Sequence, residues 1–357
     1  MNKAKLLLIN GNQFGYSAGH YYYCKYLKDK YDIQYICYDR GQKKMLMDGV
    51  NVHYIPFKGN KIKRIIRFLF HSIRLCRIFK PDIVFVVYFD LCSLLAVFCR
   101  ANLKVLDIRT GSLALNSYKR NLDNLLIRIQ ANFFDRIFIL SDSLKQKIKL
   151  KHKHVRILPL GAEIFYNGRH DFNRLNLLYV GAVRQIRDIH KTIEGVGIFL
   201  QKNPEFHSKI SYSIVGYGGD YDILKIKETI DRCGLGSVVI YEGHKNYEEL
   251  PQYFEKSNIG VAYVPITDYF NCQPATKTYE YALSGLFTIA TGTYENKLSV
   301  TNENGIVCND TAEDFAHALE VVSKNLAAIS EERVRDSLKN NCWSVIVAQT
   351  LEPFFKK

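Results

Sequence analysis

The chain has 357 residues, 47% hydrophobic and 24% charged, a globular composition with room for two cores of about 150–180 residues each. Its nine cysteines stand singly, with no C-x-x-C pair, which argues against a disulfide scaffold or structural zinc and for a reducing, cytosolic compartment. The net charge of +14 is uneven: residues 1–170 carry 30 Lys/Arg against 11 Asp/Glu and the rest 19 against 24, so an anionic partner surface is expected for the first half alone.

Lys3 to Asn10 is an unbroken apolar run that predicts a parallel strand buried on both faces. The run Leu6 to Ile9 is too short for a signal peptide, and no segment approaches the roughly 20 apolar residues that span a bilayer. A glycine-bearing loop from Gly11 to Gly19 follows, then a helix from about His20 to Asp29. Strand, glycine loop and helix together suit a phosphate, although the spacing is neither G-x-G-x-x-G nor a P-loop. His20 has two readings, a catalytic-face residue or simply the first residue of the helix. Ile33 to Tyr38 and Val50 to Pro56 read as further strands.

Lys61 to Lys80 holds seven basic residues and no acidic one. Ile62, Ile66, Leu69, Ile73 and Cys76 recur at helical spacing, which predicts an amphipathic helix covering one face of a sheet. Phe68, Phe70 and Phe79 interleave with Arg64, Arg67, Arg74 and Arg77, as in helices that lie on anionic lipid, where each basic residue contributes about 1 kcal/mol. Nucleic acid is not expected, because no reading motif accompanies the charge. A strand from Pro81 to Tyr88, a helix from Leu91 to Cys99 and a strand from Lys104 to Ile108 come next. The last ends in Asp107, Arg109 and Gly111, at the strand end where open α/β sheets place their sites; a structural Asp–Arg pair is the other reading. A helix near Asn121 to Phe133, a strand from Arg136 to Ser141, a lysine-rich helix face from Lys145 to Lys153 and a strand from Val155 lead to Gly161.

The pattern restarts after a polar linker near Asn167 to Arg174. Strands are expected at Asn176 to Gly181, Ile210 to Val215 before Gly216 and Gly218, Val238 to Glu242 before Gly243, Asn258 to Val264, and Asn304 to Cys308, with a helix from Trp343 to Phe355. Alternation throughout indicates parallel sheets covered on both faces. The segment Pro274 to Ala290 carries the most chemistry. Pro274 suits a first helical turn, Gly285 a left-handed close, and Leu286 to Ala290 a buried strand. A helix beginning near Ala275 offers free amides and a positive dipole end to an anion. Lys277 opposes that dipole unless an anion lies between, and Glu280 follows on the same face. A surface helix with incidental charges is the plainer alternative. No Asp-x-Asp loop or His/Asp cluster suggests a metal, and no internal repeat is visible.

The run P-A-T-K-T-Y-E-Y-A-L-S-G-L-F-T-I-A resembles the donor-site signature of family 4 glycosyltransferases, retaining enzymes of the GT-B fold. The resemblance is ordered from about Leu177 to Val322 and fainter before. It implies two Rossmann-like α/β domains with parallel sheets facing a cleft: 1–170 on the acceptor side, 171–340 binding the nucleotide sugar, and a terminal helix, 341–357, crossing back onto the first. By the same resemblance Ala275 and Thr276 hold the donor diphosphate, Glu280 holds the ribose hydroxyls, and Arg187 with Lys277 neutralises the departing diphosphate. Arg187 aligns with a lysine of the family, while Ala182 replaces an arginine for which Arg184 compensates. Gly181, Gly216, Gly218 and Gly243 belong to the donor side. So does Gly19, the second of a glycine pair whose first member is here Ala18. Many members carry a second glutamate where this chain has Cys272, a departure shared with a Pro-x-Lys-x-x-Glu subset that leaves the sugar open. Gly15, His20, Asp107 and Arg109 fall on the acceptor side.

The activity so implied is transfer of a sugar from a UDP- or GDP-sugar to a glycan or lipid-linked glycan acceptor. It needs no metal or cofactor and serves surface polysaccharide assembly at the inner face of the cell membrane. Two alternatives stand beside it. One is a degenerate, membrane-docked binding partner. The other is a different GT-B enzyme, such as a nucleotide-sugar epimerase or an inverting transferase, which needs a well-placed carboxylate in the first domain.

Overall fold

Apolar strands alternate with helices along the chain, and the computed structural model, which describes residues 3–112, 114 and 116–356, gathers them into two sheets. The expectations made for the first two residues and for Lys357 lie outside the described residues. The first sheet contains β1 (Ala4–Asn10), β2 (Tyr31–Asp39), β3 (Val50–Pro56), β4 (Ile83–Val87), β5 (Leu103–Ile108), β6 (Arg136–Ile139) and β7 (Val155–Ile157). All are parallel, in the order β3-β2-β1-β4-β5-β6-β7. Successive strand residues point to opposite faces, so one strand feeds two cores. Leu6 and Leu8 of β1 pack with Tyr23 and Trp343, whereas Leu7 and Ile9 pack with Phe68, Leu95 and Ile127. The helices Ala18–Leu27 and Trp343–Ile346 therefore cover one face, and Lys61–Phe79, Ser93–Phe98 and Ser117–Ala131 cover the other.

The second sheet contains β8 (Leu175–Val180), β9 (Ile210–Val215), β10 (Val239–Gly243), β11 (Ile259–Ala262), β12 (Phe287–Thr291) and β13 (Gly305–Cys308), ordered β10-β9-β8-β11-β12-β13. Both sheets wind outward from their first strand, and the direction reverses between β1 and β4 and between β8 and β11. Ligands of open α/β sheets sit at such reversals, outside the carboxyl ends of the strands. At the second reversal β8 and β11 pair only at Leu177–Ile259 and Leu178–Gly260 and then part. The Val180 amide, left without a strand partner there, donates to the Tyr281 hydroxyl at 2.9 Å. Gly260 makes room for that ring, since a Cβ there would lie 2.2 Å from Tyr281 Cγ. The chain up to Leu160, together with residues from Trp343 onward, forms one compact unit, and Gly161–Cys342 forms the other.

Several local expectations are corrected. Pro274 lies outside the helix Thr276–Leu283, whose N-cap is Ala275. The lysine-rich helix is short, Asp142–Lys147, and ends before Lys149, which takes a left-handed φ of 53°. In the helix Lys61–Phe79 the inward stripe is rotated from the one expected. Phe68, Leu69, Ser72 and Cys76 are buried, while Ile62 and Ile66 face solvent. Phe68, read as lipid-facing, is stacked on Tyr38 with ring centroids 4.4 Å apart. The apolar residues run too far round this helix for periodicity to choose between stripes.

Candidate functional site

The central segment folds as a helix from Thr276 to Leu283, closed by Gly285 at φ +86°. The Gly285 amide donates to the Ala282 carbonyl and the Leu286 amide to the Tyr281 carbonyl, the paired bonds of a Schellman close. At the other end Ala275 has no side chain to bond the first-turn amides, and no acidic residue offsets their dipole. That end is therefore open to an anion.

Lys277 lies against the end of β8. Its ammonium is 4.9 Å from the Tyr179 ring centroid. A Cβ on Gly181, whose φ is +152°, would come within 2.5 Å of Lys277 Cε and Nζ, so the lysine occupies space that only glycine leaves. Gly216 likewise packs on the Gly181 carbonyl, and Gly218 on Val183. Asp222 ties the loops after β8 and β9 together, accepting from the Gln185 amide at 2.8 Å and the Gly219 amide at 2.9 Å. Arg187 ends the turn Gln185–Arg187, its guanidinium 4.8 Å from the Phe270 ring centroid.

Three charges converge here. Desolvation pushes Lys277 down from the ordinary lysine range, and Arg187 pushes it further down, against a smaller opposing pull from Glu280. Desolvation pushes Glu280 up, with Lys277 opposing. Among the described residues nothing donates a hydrogen bond to the Glu280 carboxylate. A lysine desolvated beside an arginine holds its proton poorly, and negative charge placed between the two would restore it. Arg184 stands apart, exposed, 5.9 Å from the Tyr217 ring centroid. Gly243 has a φ of +73° and open space around it. Cys272 is half-buried at the C-terminal cap of the turn Asp268–Asn271, its backbone amide donating to the Phe270 carbonyl.

The first unit holds a second polar cluster. His20 Nε2 meets Asp107 Oδ2 at 2.9 Å, and its Nδ1 meets Ser17 Oγ at 2.6 Å. Arg109 Nη1 donates to the Leu158 carbonyl at 2.7 Å and lies 3.7 Å from Asp107 Oδ1. Burial lowers His20, outweighing the Asp107 bond that raises it, which leaves a neutral imidazole at neutral pH. Asp107 Oδ1 and the Tyr23 hydroxyl are buried with no hydrogen-bond partner among the described residues. Gly19 packs against Trp343 and Tyr23, and Gly15, at φ +88°, lies under Met45.

The structure thus brings Arg187, Lys277, Glu280, Gly181 and the Thr276 end of the helix together within the second unit, and His20, Asp107 and Arg109 together within the first. Tyr179, Phe270, Tyr281 and Ser17 were not singled out by sequence. Tyr179 read only as a strand residue, and no single-sequence signal marks the other three. Among the described residues no group of three or more His, Cys, Asp or Glu side chains is placed to hold a metal ion. No described helix is long and apolar enough to cross a membrane.

No family model and no curated sequence matches this chain. Solved structures do. Sucrose-phosphate synthase from Thermosynechococcus elongatus superposes with a TM-score of 0.71 at 14% identity, over 99% of this chain and 98% of that one. HepE from Anabaena, in complex with UDP and glucose, gives 0.73 at 12% identity over 99% and 100%. A glycosyltransferase from Rickettsia africae gives 0.73 at 15% identity over 99% and 98%. The fold is GT-B. At these identities the likeness is one of fold, and within the GT-B frame Lys277, Arg187 and Glu280 sit at the carboxyl end of the second sheet, by its reversal point.

Proposed function

We propose that this protein is a glycosyltransferase whose second unit binds a nucleoside diphosphate sugar and passes the sugar to a glycan acceptor. The observation that carries the reading is the convergence of Lys277 and Arg187 near the uncapped N-terminus of a helix that presents Glu280 one turn deeper. The cations and amides would take the diphosphate, stabilising charge as it develops on the leaving group. Glu280 would accept from the ribose hydroxyls, bonds strengthened by its charge. HepE, alike in fold, binds UDP, which supports a uridine donor. The resemblance to family 4 supports retention, a lipid-linked acceptor and a role in surface polysaccharide assembly. Transfer without a metal is part of the proposal.

A thermal-shift panel of UDP, GDP, CMP and their sugar conjugates, with and without EDTA, tests it. A nucleotide at 100 times its dissociation constant adds about 2.7 kcal/mol of stability. The expected result is a shift with UDP that EDTA leaves intact. Silence across the panel would favour a degenerate binding partner instead.

One observation favours a second reading, transfer with inversion. Asp107 is a buried carboxylate that orients a neutral His20, the arrangement of a general base held by a third group. An acceptor hydroxyl displacing Ser17 from Nδ1 would meet that base. The anomeric proton coupling in the product's NMR spectrum separates the two: a product with the donor's configuration leaves His20 structural, and the opposite configuration assigns it the base.

A further inference from the structure

The helix Ser117–Ala131 is apolar on two sides: Ile127 and Ala131 are buried in the core of the first sheet, and a second apolar stripe faces outward. It turns Asn124 and Gln130 inward, where Asn124 accepts from the Ser112 amide at 3.0 Å and Gln130 donates to the Tyr88 hydroxyl at 3.1 Å. Its outer face carries Tyr118, Leu122, Leu125, Leu126 and Ile129, spaced three and four apart, and Phe133 continues the line beyond its end. Tyr118 is 80% exposed and Phe133 50%. A surface helix of a globular domain normally keeps charged and polar residues on its outer side.

The neighbouring helices on the same face of the first sheet do likewise. Lys61–Phe79 presents Ile62, Ile66, Phe70 and Ile78 outward, the first of them 68% exposed, and Ser93–Phe98 presents Leu94, Val97 and Phe98. Interleaved with them are Lys63, Arg74, Arg77 and Lys80, all exposed. Arg64 and Arg67 are tied down: Arg64 covers the Phe57 ring at 4.1 Å, and Arg67 donates to the carbonyls of Pro56 and Lys58 at 3.1 and 3.0 Å. The acidic residues are engaged as well, Asp90 with Lys61 and Asp123 with the Ser112 hydroxyl. Large apolar side chains exposed on three helices that cover one sheet face mark an interaction site.

We infer that this three-helix face of the first unit docks on an anionic lipid bilayer, with the outer stripe of Ser117–Ala131 entering the interface and Arg74 and Arg77 meeting lipid phosphates. Charge selects the occupant. Residues 58–133 hold 14 Lys/Arg against four Asp/Glu, so a second copy on the same face would set two cationic surfaces against each other. A bilayer rich in anionic headgroups answers both the apolar stripe and the positive charge. The inference stands apart from the transfer reaction and is tested without it.

The experiment is sedimentation of the full chain with vesicles of phosphatidylcholine alone or mixed equally with phosphatidylglycerol. The chain is expected to pellet with the mixed vesicles and to stay in solution with the neutral ones. Replacing Leu122, Leu125 and Ile129 together by glutamine, which suits an exposed helix, should lower binding about ten-fold or more. Replacing Arg74 and Arg77 by glutamine should lower it about thirty-fold. Circular dichroism on both variants confirms that the fold is kept. Undiminished binding by the triple glutamine variant would overturn the inference, because charge alone would then account for the contact. So would a chain that ignores both vesicles, whether it stays monomeric or dimerises through this face in the ultracentrifuge.

Discussion

Replacing Glu280 by alanine is expected to weaken UDP binding about a hundred-fold while the unfolding midpoint of the unliganded protein does not fall. Two hydrogen bonds from ribose hydroxyls to a carboxylate are together worth about 3 kcal/mol, which is a factor of this size. The unliganded protein loses little, because no described residue donates to that carboxylate and desolvation disfavours its charged form. Titration calorimetry with UDP, beside a melting curve, measures both halves. Affinity within two-fold of the parent would remove Glu280 from the donor site. A fall in the unliganded midpoint would make the residue structural.

The second large effect falls on Lys277. Its folded pKa is depressed, so the stability linked to it is present at high pH and lost as pH falls through the window below the ordinary lysine value. Glu280 has the opposite sign: its folded pKa is raised, and its contribution is lost as pH rises above the ordinary glutamate value. A bound diphosphate reverses the first shift by supplying negative charge, so Lys277 takes up a proton on binding. Ionisation of Glu280 against the ribose releases one. Lys277→Met should therefore convert a near balance at pH 7 into net release, and should cost about 2–5 kcal/mol of affinity, as losing one partner of a buried charge pair does. Calorimetry in HEPES and in Tris, whose ionisation enthalpies differ, counts the protons. Unchanged proton count and affinity in the variant would place the diphosphate elsewhere.

Much of this molecule could be read from its residues before any coordinates. The apolar run of Leu6 to Ile9 announces a strand buried on both faces, and the structure divides those four side chains between two cores. Gly285 closes its helix as its position implied, and Lys277 and Glu280 lie three apart on that helix. What sequence could not give is pairing at a distance. The resemblance put His20 and Asp107 on the same acceptor side without pairing them; 87 residues separate them, and only the order of the first sheet brings the helix after β1 to the end of β5. The outward face of Lys61–Phe79 was missed for a different reason. Periodicity reports a stripe without saying which neighbour covers it, and Ile62 and Ile66 fit the inward pattern as well as Phe68 does. Ser117–Ala131 hid its outward apolar stripe in the same way, because the inward placing of Asn124 and Gln130 becomes legible only through their partners Ser112 and Tyr88.

The chain leaves the first unit at Leu160 and returns to it at Trp343, and the residues just inside the second unit at these two crossings are joined, the Ala162 amide donating to the Asn341 carbonyl at 2.9 Å. Trp343 then stacks on Tyr22 with centroids 5.9 Å apart and meets Tyr23 edge-on at 5.7 Å. The first unit is begun first on the ribosome yet cannot seal its core until the whole second unit has been made. Residues 161–342, contiguous in sequence, are free to fold while the earlier strands still wait for their tryptophan. During that interval Tyr22 and Tyr23 lack the ring that packs on both of them, and the face of the first sheet beneath the terminal helix stays open to water.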